Sequence, residues 1–102
     1  MIPEIERHKT EIESLCRRCH VQRLELFGSA AVGTHRPGES DYDFLVEFAA
    51  LRPGAYTDAF FDLLEGLEEL LGRPVDLVVA SAIKNPYFRE SADRTKALLY
   101  AA

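Results

Sequence analysis

Long hydrophobic runs are missing from this 102-residue chain. Its uninterrupted apolar stretches last only a few residues, far short of the roughly 20 that cross a bilayer. An apolar signal-peptide core is missing too, because the N-terminal stretch "MIPEIERHKTEIE" is charged throughout. A cytoplasmic protein with no membrane partner is therefore expected. Hydrophobic residues make up 47% and charged residues 28%, a globular balance that excludes the disordered and fibrous classes. One domain over residues 1–102 with one modest core fits this length. Internal repeats, linkers and low-complexity segments are absent.

Positive charge is scarce in the middle of the chain. Residues 1–23 carry a net +1, residues 24–83 a net −8 and residues 84–102 a net +2, together the overall −5. A surface this acidic repels phosphate backbones, so direct nucleic-acid binding is not expected. It suits metal cations or a basic protein partner.

Methionine occurs once, at Met1, and cysteine twice, in "CRRCH" at 16–20. As a bare pattern, Cys-x-x-Cys-His is a haem-attachment motif, which would make the protein an electron carrier. A c-type cytochrome also needs export and a sixth axial ligand, and one terminal methionine supplies neither. Core packing accounts for Cys16 and Cys19 more simply, since both fall on an apolar helical stripe. Zinc has only His8 and His20 as nearby supplements, with His20 at the helix end.

The hydrophobic pattern alternates between helical and strand periods. A helix is expected from about Pro3 to Cys19, with Ile5, Ile12, Leu15, Cys16 and Cys19 as its stripe. "RLELFGS" (23–29) reads as a short strand stopped by Gly28, and "AAVGTHRPGES" (30–40) as a helical turn and loop. "YDFLVEF" (42–48) is a second strand, with Tyr42, Phe44, Val46 and Phe48 on one face. Asp41, Asp43, Leu45 and Glu47 share the other face.

"TDAFFDLLEGLEELLG" reads as an amphipathic helix capped by Thr57, with Phe60, Leu63, Leu64, Leu67 and Leu71 inward, and closed by Gly72 and Pro74. Glu65, Glu68 and Glu69 read as its solvated face. "PVDLVVA" (74–80) is a third strand, interrupted by Asp76. A last helix opens at Asn85 and Pro86 and runs to about Thr95, and "ALLYAA" closes the chain. Lys84, Arg89, Arg94 and Lys96 read as solvated charges, or as contacts to a ligand or partner. The expected class is α/β (α+β), a small mixed sheet of three or four strands with helices packed on it.

Taken singly, the polar residues in these strands have plain explanations. Asp41 and Asp43 follow a Pro-Gly turn, Asp76 suits a sheet edge, and Ser29 is a good helix N-cap. Together they make a site. Neighbouring strands would bring three carboxylates to one Gly-Ser turn, and none has a basic residue at an obvious pairing distance along the sequence. Unpaired buried carboxylates cost on the order of several kcal/mol, so divalent cations are their natural partners. Oxygen ligands select Mg²⁺, with Mn²⁺ as an alternative. Gly28 lets backbone approach a ligand closely, and Ser29 offers a hydroxyl beside free N–H groups for phosphate oxygens. Carboxylates for a metal beside a phosphate cradle are the equipment of phosphoryl or nucleotidyl transfer.

"LFGSAAVGTHRPGESDYDFLVEF" resembles the signature of the DNA polymerase β-type nucleotidyltransferase superfamily, Gly-Ser followed by Asp-x-Asp. The short chain and "RPVDLVVASAIKNPYFRE" resemble its minimal nucleotidyltransferase members, antitoxins of HEPN–MNT toxin–antitoxin pairs. The resemblance implies a polymerase β-like nucleotidyltransferase fold. It implies that Gly28 and Ser29 bind ATP phosphates. It also implies that Asp41, Asp43 and Asp76 are the catalytic and metal-holding carboxylates.

The implied activity is AMP transfer from ATP to a tyrosine of a HEPN-domain ribonuclease toxin. Val32 departs from the pattern, since many relatives carry arginine there, and the Gly-Ser to Asp spacing is one residue longer than is common. A loop absorbs one residue easily. A second reading is an antitoxin that neutralises its toxin by contact alone. A third, transfer to a small molecule such as an aminoglycoside, is disfavoured by the lack of room for a second clamping domain. The assembly is open between a homo-oligomer and a hetero-oligomer with the toxin.

Overall fold

The computed structural model describes residues 3–32 and 41–102. Two short helices, α1 (Pro3–Arg7) and α2 (Lys9–Arg18), lead into β1 (Val21–Phe27) and the single turn α3 (Ser29–Val32). Then come β2 (Tyr42–Phe48), the long helix α4 (Ala55–Leu71) and β3 (Val75–Val79). A 3-10 turn (Ala80–Ala82) precedes α5 (Pro86–Thr95), and β4 (Ala97–Ala101) ends the order. The expected mixed α/β class is the observed one.

The four strands form one mixed sheet in the order β3-β2-β1-β4. β1 runs antiparallel to both β2 and β4, whereas β2 and β3 are parallel. Alternation along β2 separates two layers, as its sequence dictates. Tyr42, Phe44, Val46 and Phe48 are buried with Ile5, Ile12, Leu15, Leu63 and Leu67, so α1, α2 and α4 cover this face. The opposite face carries a smaller cluster of Phe27, Leu45 and Ala92 under α5. The Phe88 ring of α5 meets Phe27 edge-on at 5.8 Å between centroids, fixing that helix on the sheet.

Several local expectations hold. Asn85 caps α5, its side-chain oxygen accepting from the Tyr87 and Phe88 amides, with Pro86 at the first helical position. Gly72 ends α4 in a left-handed conformation, φ 65°. Cys16 and Cys19 are free, buried core thiols.

Others need correction. The first helix is two helices, because at His8 an N–H donates to the Ile5 carbonyl, a tightened turn. Both Ile5 and Ile12 then reach the core, fully buried. Thr57 does not cap α4, which starts two residues earlier behind Gly54 at φ 90°, a conformation glycine adopts without strain. Glu68 is not merely solvated, since its carboxylate accepts the Val75 amide at 3.1 Å and fastens the start of β3 to α4. "ALLYA", which has no clear strand period, is the edge strand β4, with Leu99 buried and Leu98 half exposed.

Burial pushes the Cys16 thiol from an ordinary 9.0 up to about 12, with Cys19 and Glu13 adding to the rise and Arg17 opposing it. Cys19 is also raised, chiefly by burial and then by Asp62. Above the unfolded value the folded chain keeps a proton that the unfolded chain loses, so stability falls as pH rises through that window. The urea midpoint should therefore hold up to about pH 9 and drop beyond it. In Cys16→Ala the midpoint should be lower throughout but the alkaline drop shallower. Urea titrations at neutral and alkaline pH check this, and an equally steep drop in the variant would exclude Cys16 as its source.

Candidate functional site

One end of the sheet gathers the residues singled out by the sequence. β1 ends there, and β2 and β3 both begin there, so one strand end and two strand starts meet. The pairing places Phe27 opposite Asp43 and Asp43 opposite Asp76. Residues paired in register on parallel strands project to the same face about 4.8 Å apart. Asp43 and Asp76 thus stand side by side, Asp43 half buried at the mouth of β2 and Asp76 exposed on the edge strand. Asp41, two residues before Asp43, is exposed at the same end.

Gly28 closes against this pair. Its φ is +74°, and a Cβ added there would sit 2.7 Å from Asp43 Oδ2. Only glycine combines that conformation with that approach. Its amide N–H donates to Thr95 Oγ1 at 2.9 Å, and its carbonyl accepts from the Ala31 amide at 3.1 Å. The Gly28 amide is therefore engaged by α5. That leaves the Ser29 hydroxyl, at the start of α3, as the polar side chain the turn can offer to a ligand. Thr95 was not among the residues singled out by sequence, and a lone threonine near a helix end gives no signal of such a role.

Asp41 has a partner that sequence distance concealed. Arg73 lies just before β3, and the parallel pairing of Tyr42 with Val75 brings it beside the start of β2. Its guanidinium stands 3.8 Å from the Asp41 carboxylate. The Arg73 Nε is buried and has no hydrogen-bond partner among the described residues. Tyr42 turns into the opposite layer at 2% exposure. Burial, then Glu4, raises its phenol above the ordinary value, while Arg73 and Arg7 oppose the rise.

The structure thus brings Gly28, Asp43 and Asp76 together, with Asp41 at the rim. Among the described residues, no three His, Cys, Asp or Glu side chains form a ready metal cluster. The donor chemistry nonetheless fits a hard divalent cation. Two carboxylates one strand spacing apart offer oxygen ligands only, and Asp41, just before β2, lies at the same end of the sheet. Arg36, a candidate stand-in for the arginine that many relatives carry where this chain has Val32, falls outside the described residues, as does most of the segment between Ser29 and Asp41. Val32 ends α3.

Of the four basic residues near the C-terminus, three have internal partners. Arg89 donates to the Ala80 carbonyl at 2.8 Å, Arg94 pairs with Glu90, and Lys96 lies between Asp93 and the buried Glu25. No helix among the described residues is long and apolar enough to cross a membrane.

Known proteins resemble this chain in sequence and fold. The protein adenylyltransferase MntA of Thermococcus cleftensis is 38% identical over 78 residues, covering 76% of this chain and 72% of its own. A provisionally named protein adenylyltransferase of Methanocaldococcus jannaschii is 38% identical over 89 residues, covering 87% and 84%. Among solved structures, a provisionally assigned minimal nucleotidyltransferase superposes with a TM-score of 0.76 at 33% identity, over 91% of this chain and 90% of that one. A toxin–antitoxin crystallised with AMP-PNP gives a TM-score of 0.70 at 26% identity, over 92% and 73%. Residues 5–98 match the nucleotidyltransferase domain. A mixed sheet with a glycine turn packed against in-register aspartates, carried on a sequence that matches over nearly its whole length, places this chain in the nucleotidyltransferase domain family.

Proposed function

We propose that this protein is an antitoxin that transfers AMP from ATP to a tyrosine of a cognate HEPN ribonuclease toxin. The observation that carries the reading is the Asp43–Asp76 register beside the Gly28 turn, in a family whose relatives include protein adenylyltransferases. Ser29 and the Gly28 turn receive the triphosphate, and Asp41, Asp43 and Asp76 hold Mg²⁺. When bound, that ion would offset the negative charge gathered on the phosphates. The acceptor phenol oxygen bonds to the α-phosphorus, its proton passes toward Asp76, and the bond to the β-phosphate breaks to release pyrophosphate. Asp76 is suited to meet an acceptor on another protein, because it is exposed on the edge strand. Phe61 at 52% and Tyr87 at 81% exposure leave large apolar surface in water, the kind that protein partners cover.

Intact-mass spectrometry of the toxin after incubation with this protein, ATP and Mg²⁺ tests the reading. The toxin should gain one or more AMP units, and Asp41→Ala/Asp43→Ala should abolish the gain.

A second reading, neutralisation by contact without catalysis, draws on one observation: Asp41 is already engaged by Arg73. Tight toxin binding with no mass gain would favour it.

The same ion pair yields a separate expectation. A partly exposed pair is worth at most about 1 kcal/mol, so Arg73→Gln should barely move the melting temperature. Freed from its competitor, Asp41 should tighten Mn²⁺ binding about two- to fivefold, read by electron paramagnetic resonance without nucleotide. Weaker binding would instead make Arg73 a support that orients Asp41.

A further inference from the structure

We infer that Thr95 is a positioning residue for the Gly28–Ser29 turn, its hydroxyl holding the Gly28 amide and so setting where the turn stands against Asp43. The inference rests on the reading of that turn as the phosphate-binding element. Gly28 and Thr95 are 67 residues apart, joined by a 2.9 Å hydrogen bond. In that bond the Gly28 N–H can only donate, so the hydroxyl oxygen accepts. The Thr95 hydroxyl has one proton, and it lies within reach of the carbonyls of Ala92 at 3.2 Å and Ser91 at 3.5 Å. Back-bonding of this kind is common for threonine in helices. A lone pair is then left for the Gly28 N–H.

Topology explains why α5 ends there. β4 is antiparallel to β1, so its first residue, Ala97, pairs with Leu26 near the end of β1. Thr95, the last residue of α5, therefore arrives beside Gly28. The helix that carries it meets the sheet through a few contacts. Ala92 is buried at 3% exposure, Phe88 packs edge-on to Phe27, and the Lys96 ammonium lies 3.8 Å from the buried Glu25 carboxylate of β1. The end of α5 thus holds one atom of a left-handed turn whose other side has no room for a Cβ next to Asp43 Oδ2.

Without the hydroxyl, the Gly28 amide loses its partner and the turn gains freedom next to the carboxylate it is packed against. The division of labour follows. Gly28 serves sterically with its amide held by α5, and Ser29 supplies the contact to phosphate.

The test compares Thr95→Val, which keeps the shape and removes the acceptor, with Thr95→Ser, which keeps the hydroxyl. Thr95→Ala serves as a second hydroxyl-free variant should valine prevent folding. Gly28 amide hydrogen exchange should quicken about tenfold in the valine or alanine variant, the loss of one hydrogen bond. The KM for ATP should rise about three- to tenfold with kcat changed less. The serine variant should behave as the wild type in both.

Unchanged Gly28 exchange without the hydroxyl overturns the inference. Equal losses of ATP binding in the serine and valine variants, tracking their melting temperatures, overturn it as well, since a merely structural role would give that pattern. If the wild type binds no ATP, the phosphate reading of the turn fails, while Gly28 exchange still decides whether Thr95 holds it.

Discussion

Asp43→Asn is expected to lower the proposed AMP transfer by about a hundred- to a thousandfold, the loss typical when one preorganised charge-stabilising group is removed from an active site. The fold should survive. Asparagine has the shape of aspartate, and position 43 is half buried at the mouth of β2, on the face opposite the main core. The residues that anchor β2 are its neighbours Tyr42 and Phe44, at 2% and 0% exposure. What changes is charge. An amide cannot supply the anionic oxygen that a divalent cation needs, and Asp43 is the carboxylate nearest both Gly28 and Asp76. Rates of AMP incorporation into the toxin, measured beside urea midpoints, separate lost chemistry from lost stability. Activity within tenfold of the wild type in a folded variant would remove Asp43 from the chemistry and favour neutralisation by contact.

Gly28→Ala is expected to cost both stability and activity, for two separable reasons. An L-residue in the left-handed region costs about 1–2 kcal/mol. The new Cβ would also meet Asp43 Oδ2 at 2.7 Å, and the flexible carboxylate, rather than the backbone, would move. Misplacing a reacting group by about 1 Å costs on the order of a hundredfold in rate. Gly72→Ala provides the control. Gly72 has φ +65° but nothing within 4 Å of an added Cβ. Its alanine variant should lose about the same 1–2 kcal/mol and keep full activity. Equal activity losses in the two variants would show that general destabilisation, and not the approach to Asp43, explains the effect of the first.

Much of the fold was legible because its signals are local. A period of two in "YDFLVEF" predicts which side chains of β2 face the core, and Phe44 and Val46 are indeed fully buried. Asn85 followed by Pro86, and Gly72 at the end of α4, mark helix ends through chemistry confined to a few neighbouring residues. Where local signals were weak, the reading drifted. Helix α4 starts at Ala55 behind Gly54, so Thr57 lies inside its first turn and not at its cap. "ALLYA" is a strand through its pairing with the outer edge of β1, a contact distant in sequence.

The candidate site divides along the same line. The sequence by itself supplied the candidates: a Gly-Ser turn, Asp41 and Asp43 two residues apart at the opening of a strand, and a third carboxylate at Asp76. It could do so because residue type and spacing within an element set which way side chains point. Only the tertiary structure decided how they meet. Parallel pairing put Asp43 beside Asp76 and carried Arg73 to Asp41, and the antiparallel return of β4 brought Thr95 to the Gly28 amide. Such contacts depend on strand order and register across tens of residues, which local propensity does not encode.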